Sequence, residues 1–184
     1  KELDGISRNT IDKFIEYLES ANLIYVSHPI NIGPKQILKS QNKIYIADAA
    51  MRNAVLLKDD ITNDPNELGI IAETAVYKHI KSFYYNDSAE IGYYRGDKKD
   101  KEIDIVVKSI KSSPILIEVK YREQSKILET DAIIKEGNNK FPGLVITKRA
   151  SDFGGFKYGD KGIYKIPAPA FLYLLGLVEY QRVK

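Results

Sequence analysis

Residues 101–121, KEIDIVVKSIKSSPILIEVKY, place charged side chains inside two strongly apolar runs. Because successive side chains of a strand point to opposite faces, the alternation predicts two strands joined by a short polar turn. The first strand is expected to divide its residues between the faces, with Glu102, Asp104 and Val106 on one and Ile103, Ile105 and Val107 on the other. In the second strand, Glu118 and Lys120 share a face. Unpaired charges are costly to bury, so these groups need a partner.

A divalent cation is a partner that suits these groups. Magnesium prefers oxygen ligands and usually takes one or two carboxylates, with water and substrate phosphate completing its shell. We expect Asp104 and Glu118 to supply two carboxylates from neighbouring strands to Mg²⁺ or Mn²⁺. Lys120 is then able to steady an attacking water or the charge that develops on phosphorus. A fortuitous salt bridge in a degenerate domain is the alternative interpretation, and Glu102 is expected to be an exposed edge charge.

A helix before these strands adds a further acidic residue. In the segment LGIIAETAVYKHI, one apolar stripe is formed by Leu68, Ala72, Ala75, Val76 and His79. At ~100° per residue, Glu73 lies on the flank of this stripe rather than on the opposite, polar face. Glu73 is therefore a candidate third carboxylate, with a solvated glutamate as the alternative.

The arrangement of Asp104 followed by Glu118-Val119-Lys120 at the end of the next strand resembles the PD-(D/E)XK superfamily of metal-dependent nucleases. Such nucleases often carry an acidic residue on their first helix, and Glu73 matches that position. The resemblance implies a restriction-endonuclease-like fold. It also implies a site in which Glu73 assists Asp104 and Glu118 in binding the metal while Lys120 serves in catalysis on DNA.

Composition limits the kinds of site that this chain can form. With no cysteine and two histidines, it has no disulfide framework or zinc–thiolate centre, and a histidine-based metal centre is not expected. Because the formal charge is only +3, contact with DNA would depend on local clusters such as Lys98, Lys99 and Lys101. No apolar run approaches the ~20 residues that span a bilayer, and the first residues do not resemble a signal peptide. We therefore expect a cytoplasmic protein without a membrane partner.

Residues 1–60 predict a small winged-helix domain. Residues 7–21 carry a helical apolar stripe, with Ser7 or Asn9 available as the N-cap. A strand in LIYVSHPI, a turn, a second strand and a helix after Asp48 follow. The wing would span residues 31–42, and Lys35, Lys39 and Lys43 lie on or beside it. Winged helices bind DNA through a helix and the wing, but they also serve as packing modules.

Residues 61–184 predict a second, α/β domain, separated from the first by the polar, turn-rich segment KDDITNDPN. We expect a mixed sheet flanked by helices. The predicted elements are a helix at 66–83, a strand at 90–95, the two acidic strands, a helix at 125–137, a strand at 143–147, a bend at 153–156, an edge strand at 162–166 and a helix from Pro169.

The order of a winged helix and then a PD-(D/E)XK domain resembles the C-terminal part of a family of prokaryotic AAA-type ATPases. The matching segments are TIDKFIEYLESANLI, KIYIADAAMRNAV, the helix around Glu73, YYRGDKKDKEIDIVV and IEVKYRE. The resemblance implies an N-terminal AAA ATPase module in the parent chain as a partner. Because no G-x-x-x-x-G-K-[ST] motif occurs, we expect no ATP hydrolysis by this chain alone.

Two functions from different classes follow from these patterns. The first is magnesium-dependent hydrolysis of phosphodiester bonds in DNA. The second is a catalytically inactive module that uses the same fold to bind DNA or to pack against the ATPase module. The presence of all four site residue types, at Glu73, Asp104, Glu118 and Lys120, favours the enzyme.

Overall fold

The computed structural model describes residues 5–32, 41–57, 63–96, 102–110, 112–137, 143–159 and 161–182. Within these ranges the helices are α1 (Arg8–Ser20), α2 (Ala49–Val55), α3 (Pro65–Phe83), α4 (Ala132–Glu136) and α5 (Ala168–Arg182). The strands are β1 (Ile24–Pro29), β2 (Lys43–Ile46), β3 (Ala89–Arg95), β4 (Glu102–Ser109), β5 (Ile115–Lys120), β6 (Gly143–Thr147), β7 (Gly154–Tyr158) and β8 (Lys161–Pro167). They form a mixed sheet in the order β2-β1-β3-β4-β5-β6-β8-β7. The predicted mixed α/β class is confirmed.

Polar side chains fix where the first three helices begin. Ser7 accepts the N–H of Thr10 at 3.2 Å, and Asp48 accepts the N–H of Ala50 at 2.8 Å. Asp64 does the same for α3, whose first residue is a proline. These side chains satisfy backbone donors that have no partner inside the helix, and proline has no N–H to satisfy. The predicted helices at 7–21, after Asp48 and at 66–83 are therefore confirmed.

Hydrophobic clusters cover both faces of the sheet. On the face that we call the α4 face, the buried residues include Ile103, Val106, Leu116, Ile133 and Val145. On the opposite face, which we call the α3 face, helices α3 and α5 pack on the sheet through residues that include Val76, Tyr77, Ile80, Ile105, Ile117 and Phe171. His79, which was expected on the apolar stripe of α3, is exposed because the buried side of the helix passes through Tyr77 and Ile80 instead.

Strands β1 and β2 of the predicted first domain form a hairpin, and this N-terminal hairpin extends the sheet that β3 to β8 of the second domain form. Strand β1 pairs antiparallel with β2 and parallel with β3, where His28 lies opposite Gly92 and Pro29 opposite Tyr93. Arg52 of α2 also forms an ion pair with the buried Glu67 of α3. Residues from both predicted domains therefore contribute to one sheet.

A β-bulge changes the expected division of residues in β4. Pairing with β3 runs from Gly92 opposite Val106 to Tyr94 opposite Ile103, so β4 contains one extra residue there. Such a bulge interrupts the alternation of side chains. Ile103 consequently joins Val106 on the α4 face, and the prediction that it shares a face with Ile105 and Val107 is wrong.

Two other predicted elements differ from the structure. Helix α4 spans only Ala132–Glu136 instead of 125–137, because Ser125 is held outside the helix by tertiary contacts. Its backbone carbonyl accepts a hydrogen bond from the buried Lys165 at 2.7 Å. The segment predicted as a bend at 153–156 forms most of β7, which pairs with β8 and takes the edge position that β8 was expected to hold.

Several expected DNA contacts lie outside the described residues. These are most of the predicted wing and the lysines at positions 35, 39, 98, 99 and 101. In the part of the chain that the structure describes, no helix is both long and apolar enough to cross a membrane.

Candidate functional site

A cleft of about 440 Å³ lies between the N-terminal half of α3 and the end of β5. Its lining includes all four side chains that the sequence singled out, Glu73, Asp104, Glu118 and Lys120. Pro65, Asn66 and Gly69 of α3 and the residues that follow Lys120 complete the wall. The structure therefore brings the four predicted residues to one cavity, although they reach it from different elements.

Asp104 lies where β4 and β5 separate. The pairing of the two strands runs as far as Ile105 opposite Ile117, and beyond it the N–H of Val119 donates to Asp104 Oδ2 at 2.8 Å. Burial raises the pKa of Asp104 well above its usual value, and the charges of Glu118 and Glu73 raise it further. The charge of Lys43 and the hydrogen bond from the Val119 N–H only partly oppose this rise in pKa. Asp104 is thus a largely buried carboxyl group surrounded by more negative charge than Lys43 and the Val119 N–H offset.

Glu118 and Lys120 enter the cleft from the α4 face. Glu118 lies beside Val145 in the parallel pair of β5 and β6, and Val145 belongs to the α4-face cluster. Lys120 Nζ is 2.5 Å from Glu118 Oε1. The second oxygen, Oε2, is buried and has no hydrogen-bond partner among the described residues. Burial raises the pKa of Glu118 even though Lys120 acts in the opposite direction.

Glu73 makes contacts that the sequence did not predict. Its Oε1 accepts a hydrogen bond from the Tyr45 hydroxyl at 2.7 Å and another from Lys43 Nζ at 3.3 Å. Lys43 Nζ is also 2.6 Å from Glu102 Oε1 and 3.6 Å from Asp104 Oδ1. Lys43 therefore supplies one positive charge to three carboxylates.

Lys43 and Tyr45 could have been found from the pattern of their strand. They are two residues apart in KIYI, so they project from the same face of β2, between isoleucines. The prediction placed Lys43 beside the wing, but its side chain is only 20% exposed in the structure. Burial lowers the pKa of Lys43, but the charges of Glu73 and Asp104 and the bond to Glu102 outweigh this effect and raise it.

Glu102 is an internal member of this group rather than the exposed edge charge that was expected. Besides Lys43, it pairs with Arg95, whose Nε and Nη2 lie 2.8 and 2.5 Å from Glu102 Oε2. Although burial raises the pKa of Glu102, the bonds from Lys43 and Arg95 bring it below its usual value. Arg95 also lies over the ring of the buried Tyr93. Glu102 is thus held as a carboxylate by two cations.

The expected three-carboxylate metal site is not formed in this arrangement. Among the described residues, no group of three or more Asp, Glu, His or Cys side chains is arranged to hold a metal ion. Glu73 is held by Tyr45 and Lys43, and Glu118 approaches from the other face of the sheet. Two carboxylates are enough for magnesium, however, and the unpartnered Glu118 Oε2 and the negative environment of Asp104, in the same cleft, suit a bound cation.

The raised pKa of Glu118 leads to a prediction about stability. The folded state holds the Glu118 proton more tightly than the unfolded state, so stability falls as pH rises through the raised pKa. Without added metal, Glu118→Gln is expected to raise the thermal midpoint by about 2–4 °C near pH 8, as a gain of about 1 kcal/mol would. It should leave the midpoint unchanged well below the usual glutamate pKa, where the carboxyl group is protonated in both states.

Thermal unfolding, monitored by circular dichroism at both pH values, measures this change in the midpoint. Glu90→Gln, at an exposed position of β3, is the matched control and should change little at either pH. A lower midpoint for Glu118→Gln at the higher pH would show that the bond to Lys120 outweighs burial, contrary to this prediction.

Two known protein families match parts of this chain. Residues 68–171, more than half of the chain, match the family described as Domain of unknown function (DUF4143). The chain belongs to the DUF4143 family. DUF4143 is associated with proteins that contain an AAA-type ATPase. Residues 1–62 match a second family model, Domain of unknown function (DUF8612), and no curated protein matches the chain.

The two matches divide the residues of the site. Glu73, Asp104, Glu118 and Lys120 lie within the DUF4143 match. Lys43 lies within the DUF8612 match, as does its strand neighbour Tyr45. The acidic cleft of the DUF4143 region is thus in contact with the hairpin that precedes it in the chain.

Proposed function

We propose that the DUF4143 region of this chain is a metal-dependent nuclease domain that hydrolyses phosphodiester bonds in DNA. One observation carries the proposal: Asp104, Glu118 and Lys120 line the same cleft, where one buried and one largely buried carboxyl group, both with raised pKa values, lie next to an ammonium group. Buried titratable groups with perturbed pKa values in a cleft are typical of catalytic sites. The residue types and their order are those of the PD-(D/E)XK nucleases.

Asp104 and Glu118 would hold Mg²⁺ or Mn²⁺ in this cleft. When bound, the ion would polarise a phosphoryl oxygen of the substrate and make a water molecule more acidic. The Val119 N–H keeps Asp104 in place through Oδ2, and the other oxygen, Oδ1, lies 3.6 Å from Lys43 Nζ. Glu118 offers its unpartnered Oε2.

Lys120 would act on the reacting groups. In the structure its ammonium group is paired only with Glu118 among the ion pairs of the described residues, and its side chain is 19% exposed. An ammonium group at this position stabilises the negative charge that develops on the phosphoryl oxygens or orients the attacking water. Glu73 would have a lesser role, because Tyr45 and Lys43 hold one of its oxygens.

The remaining parts of the proposal concern DNA and the parent protein. We propose that residues 1–60 form a winged-helix-like module that contacts DNA, and that the chain works with an AAA ATPase module of the parent protein. The association of DUF4143 with AAA-ATPase-containing proteins supports the second of these.

A catalytically inactive module is the second candidate function. The observation that favours it is the ion cluster around Lys43, which neutralises part of the charge that a metal would otherwise balance. In this case the cleft would be a structural ion-pair network, and the fold would bind DNA or pack against the ATPase module.

Nicking of supercoiled plasmid DNA by the purified chain separates the two candidates. The enzyme is expected to nick DNA with Mg²⁺ or Mn²⁺ and to stop when EDTA removes the metal. An Asp104→Asn preparation made in the same way should be inactive, and nicking that persists in it would indicate a contaminant. If the wild type neither cleaves DNA nor binds Mn²⁺, the nuclease proposal is wrong.

A further inference from the structure

Lys43 places an ammonium group beside the cleft, in contact with two of the carboxylates that line it. Its ammonium group contacts Glu73, Glu102 and Asp104 at 3.3, 2.6 and 3.6 Å. The ring of Tyr93 lies on another side, with its centroid 5.3 Å from Nζ. These groups form an enclosed binding site for one positive charge.

The position of Lys43 is fixed by the sheet. Strand β2 pairs with β1 from Lys43 to Ile46, and β1 pairs in turn with β3. Tyr45, on the same face of β2, donates to the same oxygen of Glu73 and stacks on Tyr77 of α3 with ring centroids 4.1 Å apart. The hairpin is therefore anchored to α3 at the place where its lysine enters the acidic group.

We propose that Lys43 is an internal cation that competes with a divalent metal ion for the carboxylates of the cleft, so that the N-terminal hairpin sets the metal affinity of the DUF4143 site. This inference rests on the proposed function only in assuming that the cleft attracts a divalent ion. The ammonium group acts in two ways. It occupies one oxygen of Glu73, and it repels a second cation next to Asp104.

The competition follows from the charges of the cluster. Glu73, Glu102 and Asp104 carry up to three negative charges, and Arg95 balances part of the charge of Glu102. With Lys43 present, Asp104 shares its charge between the ammonium group and any ion held with Glu118. With Lys43 replaced by a neutral residue, Asp104 and Glu73 become available together. The number of carboxylates near the ion then rises from two to three.

The experiment measures Mn²⁺ binding to the full chain by isothermal titration calorimetry. Lys43→Met keeps the apolar stem and removes the charge, and it is expected to bind Mn²⁺ at least about tenfold more tightly than the wild type. Lys108→Met, at an exposed position of β4, is the matched control and should bind as the wild type does. Unchanged or weaker binding by Lys43→Met would overturn the inference.

A double-mutant cycle shows whether Glu73 is the group that is released. Glu73→Gln alone should change Mn²⁺ affinity by no more than a few-fold, because Lys43 and Tyr45 hold that carboxylate. In the Lys43→Met background the same change should abolish the gain in affinity. Equal effects of Glu73→Gln in both backgrounds would contradict competition through Glu73.

Removal of Lys43 takes the ion pair away from two partly buried carboxylates, Glu73 and Asp104, so the variant is expected to be less stable without metal. Because a ligand that binds only the folded state stabilises it, Mn²⁺ should raise the thermal midpoint of Lys43→Met by more than that of the wild type. The inference is contradicted if Mn²⁺ does not raise the thermal midpoint of Lys43→Met, or if Lys43→Met does not refold.

The outcomes also separate this inference from the nuclease proposal. If the wild type binds Mn²⁺ and cleaves DNA while Lys43→Met binds no more tightly, the inference fails and the nuclease stands. If only Lys43→Met binds Mn²⁺ and the wild type neither binds nor cleaves, competition by Lys43 is supported and the nuclease proposal fails.

Discussion

Lys120→Met is expected to lower the rate of plasmid nicking by at least about 100-fold, as the loss of one group that stabilises transition-state charge does in other enzymes. Methionine keeps the length and apolar character of the stem, so the change removes chiefly the ammonium group. Lys120 leaves Glu118 Oε2 free, and Mn²⁺ affinity should therefore stay within a few-fold of the wild type or increase. Nicking assays with matched Mn²⁺ titrations measure the two effects separately.

The matched control for this change is Lys126→Met. Lys126 is exposed and lies outside the lining of the cleft. It should retain wild-type nicking, whereas Asp104→Asn should lose both metal binding and cleavage. If Lys120→Met nicks DNA at the wild-type rate, Lys120 takes no part in catalysis, and the assignment of this cleft as a nuclease site loses its main chemical support.

Gly92→Ala is expected to lower the free energy of unfolding by about 3 kcal/mol or more, which is the upper end of what overpacking costs. A Cβ at this position would lie 2.1 Å from the backbone oxygen of His28 and 2.8 and 2.9 Å from two side-chain atoms of Ile30. His28 is the partner of Gly92 in the β1–β3 pair, so its oxygen cannot move without breaking the contact between the hairpin and the rest of the sheet.

Gly162→Ala is the matched control, because Gly162 is also a strand residue and a Cβ there meets nothing within 4 Å. In thermal unfolding, the midpoint of Gly92→Ala should lie about 6–12 °C below that of the wild type, whereas the midpoint of Gly162→Ala should stay the same or rise slightly. A Gly92→Ala protein as stable as Gly162→Ala would show that β1 does not approach β3 as closely as described. Because Lys43 reaches the acidic cleft through β1, Gly92→Ala also tests how the hairpin is placed.

The regular elements of this fold were largely predictable from local patterns. The caps at Ser7 and Asp48 and the Asp-Pro pair that starts α3 satisfy helix ends within a few residues, so local sequence is enough to predict them. Apolar alternation likewise predicted β4 and β5, because burial on the two faces of a sheet imposes it. Strand β7 was missed because its glycines read as a turn, and only its pairing with β8 makes it a strand.

By itself the sequence determined which chemical groups the cleft contains, because the order of Asp104, Glu118 and Lys120 on adjacent strands brings them to the same edge of the sheet. Only the tertiary structure decided how those groups are paired. The bulge in β4 interrupts the alternation from which the face of Asp104 was predicted. The pairing of β2 with β1, and of β1 with β3, brings Lys43 next to Asp104 from about 60 residues away along the chain. Strand alternation is a local property, whereas bulges and contacts between distant segments depend on how the whole sheet assembles, which no short pattern records.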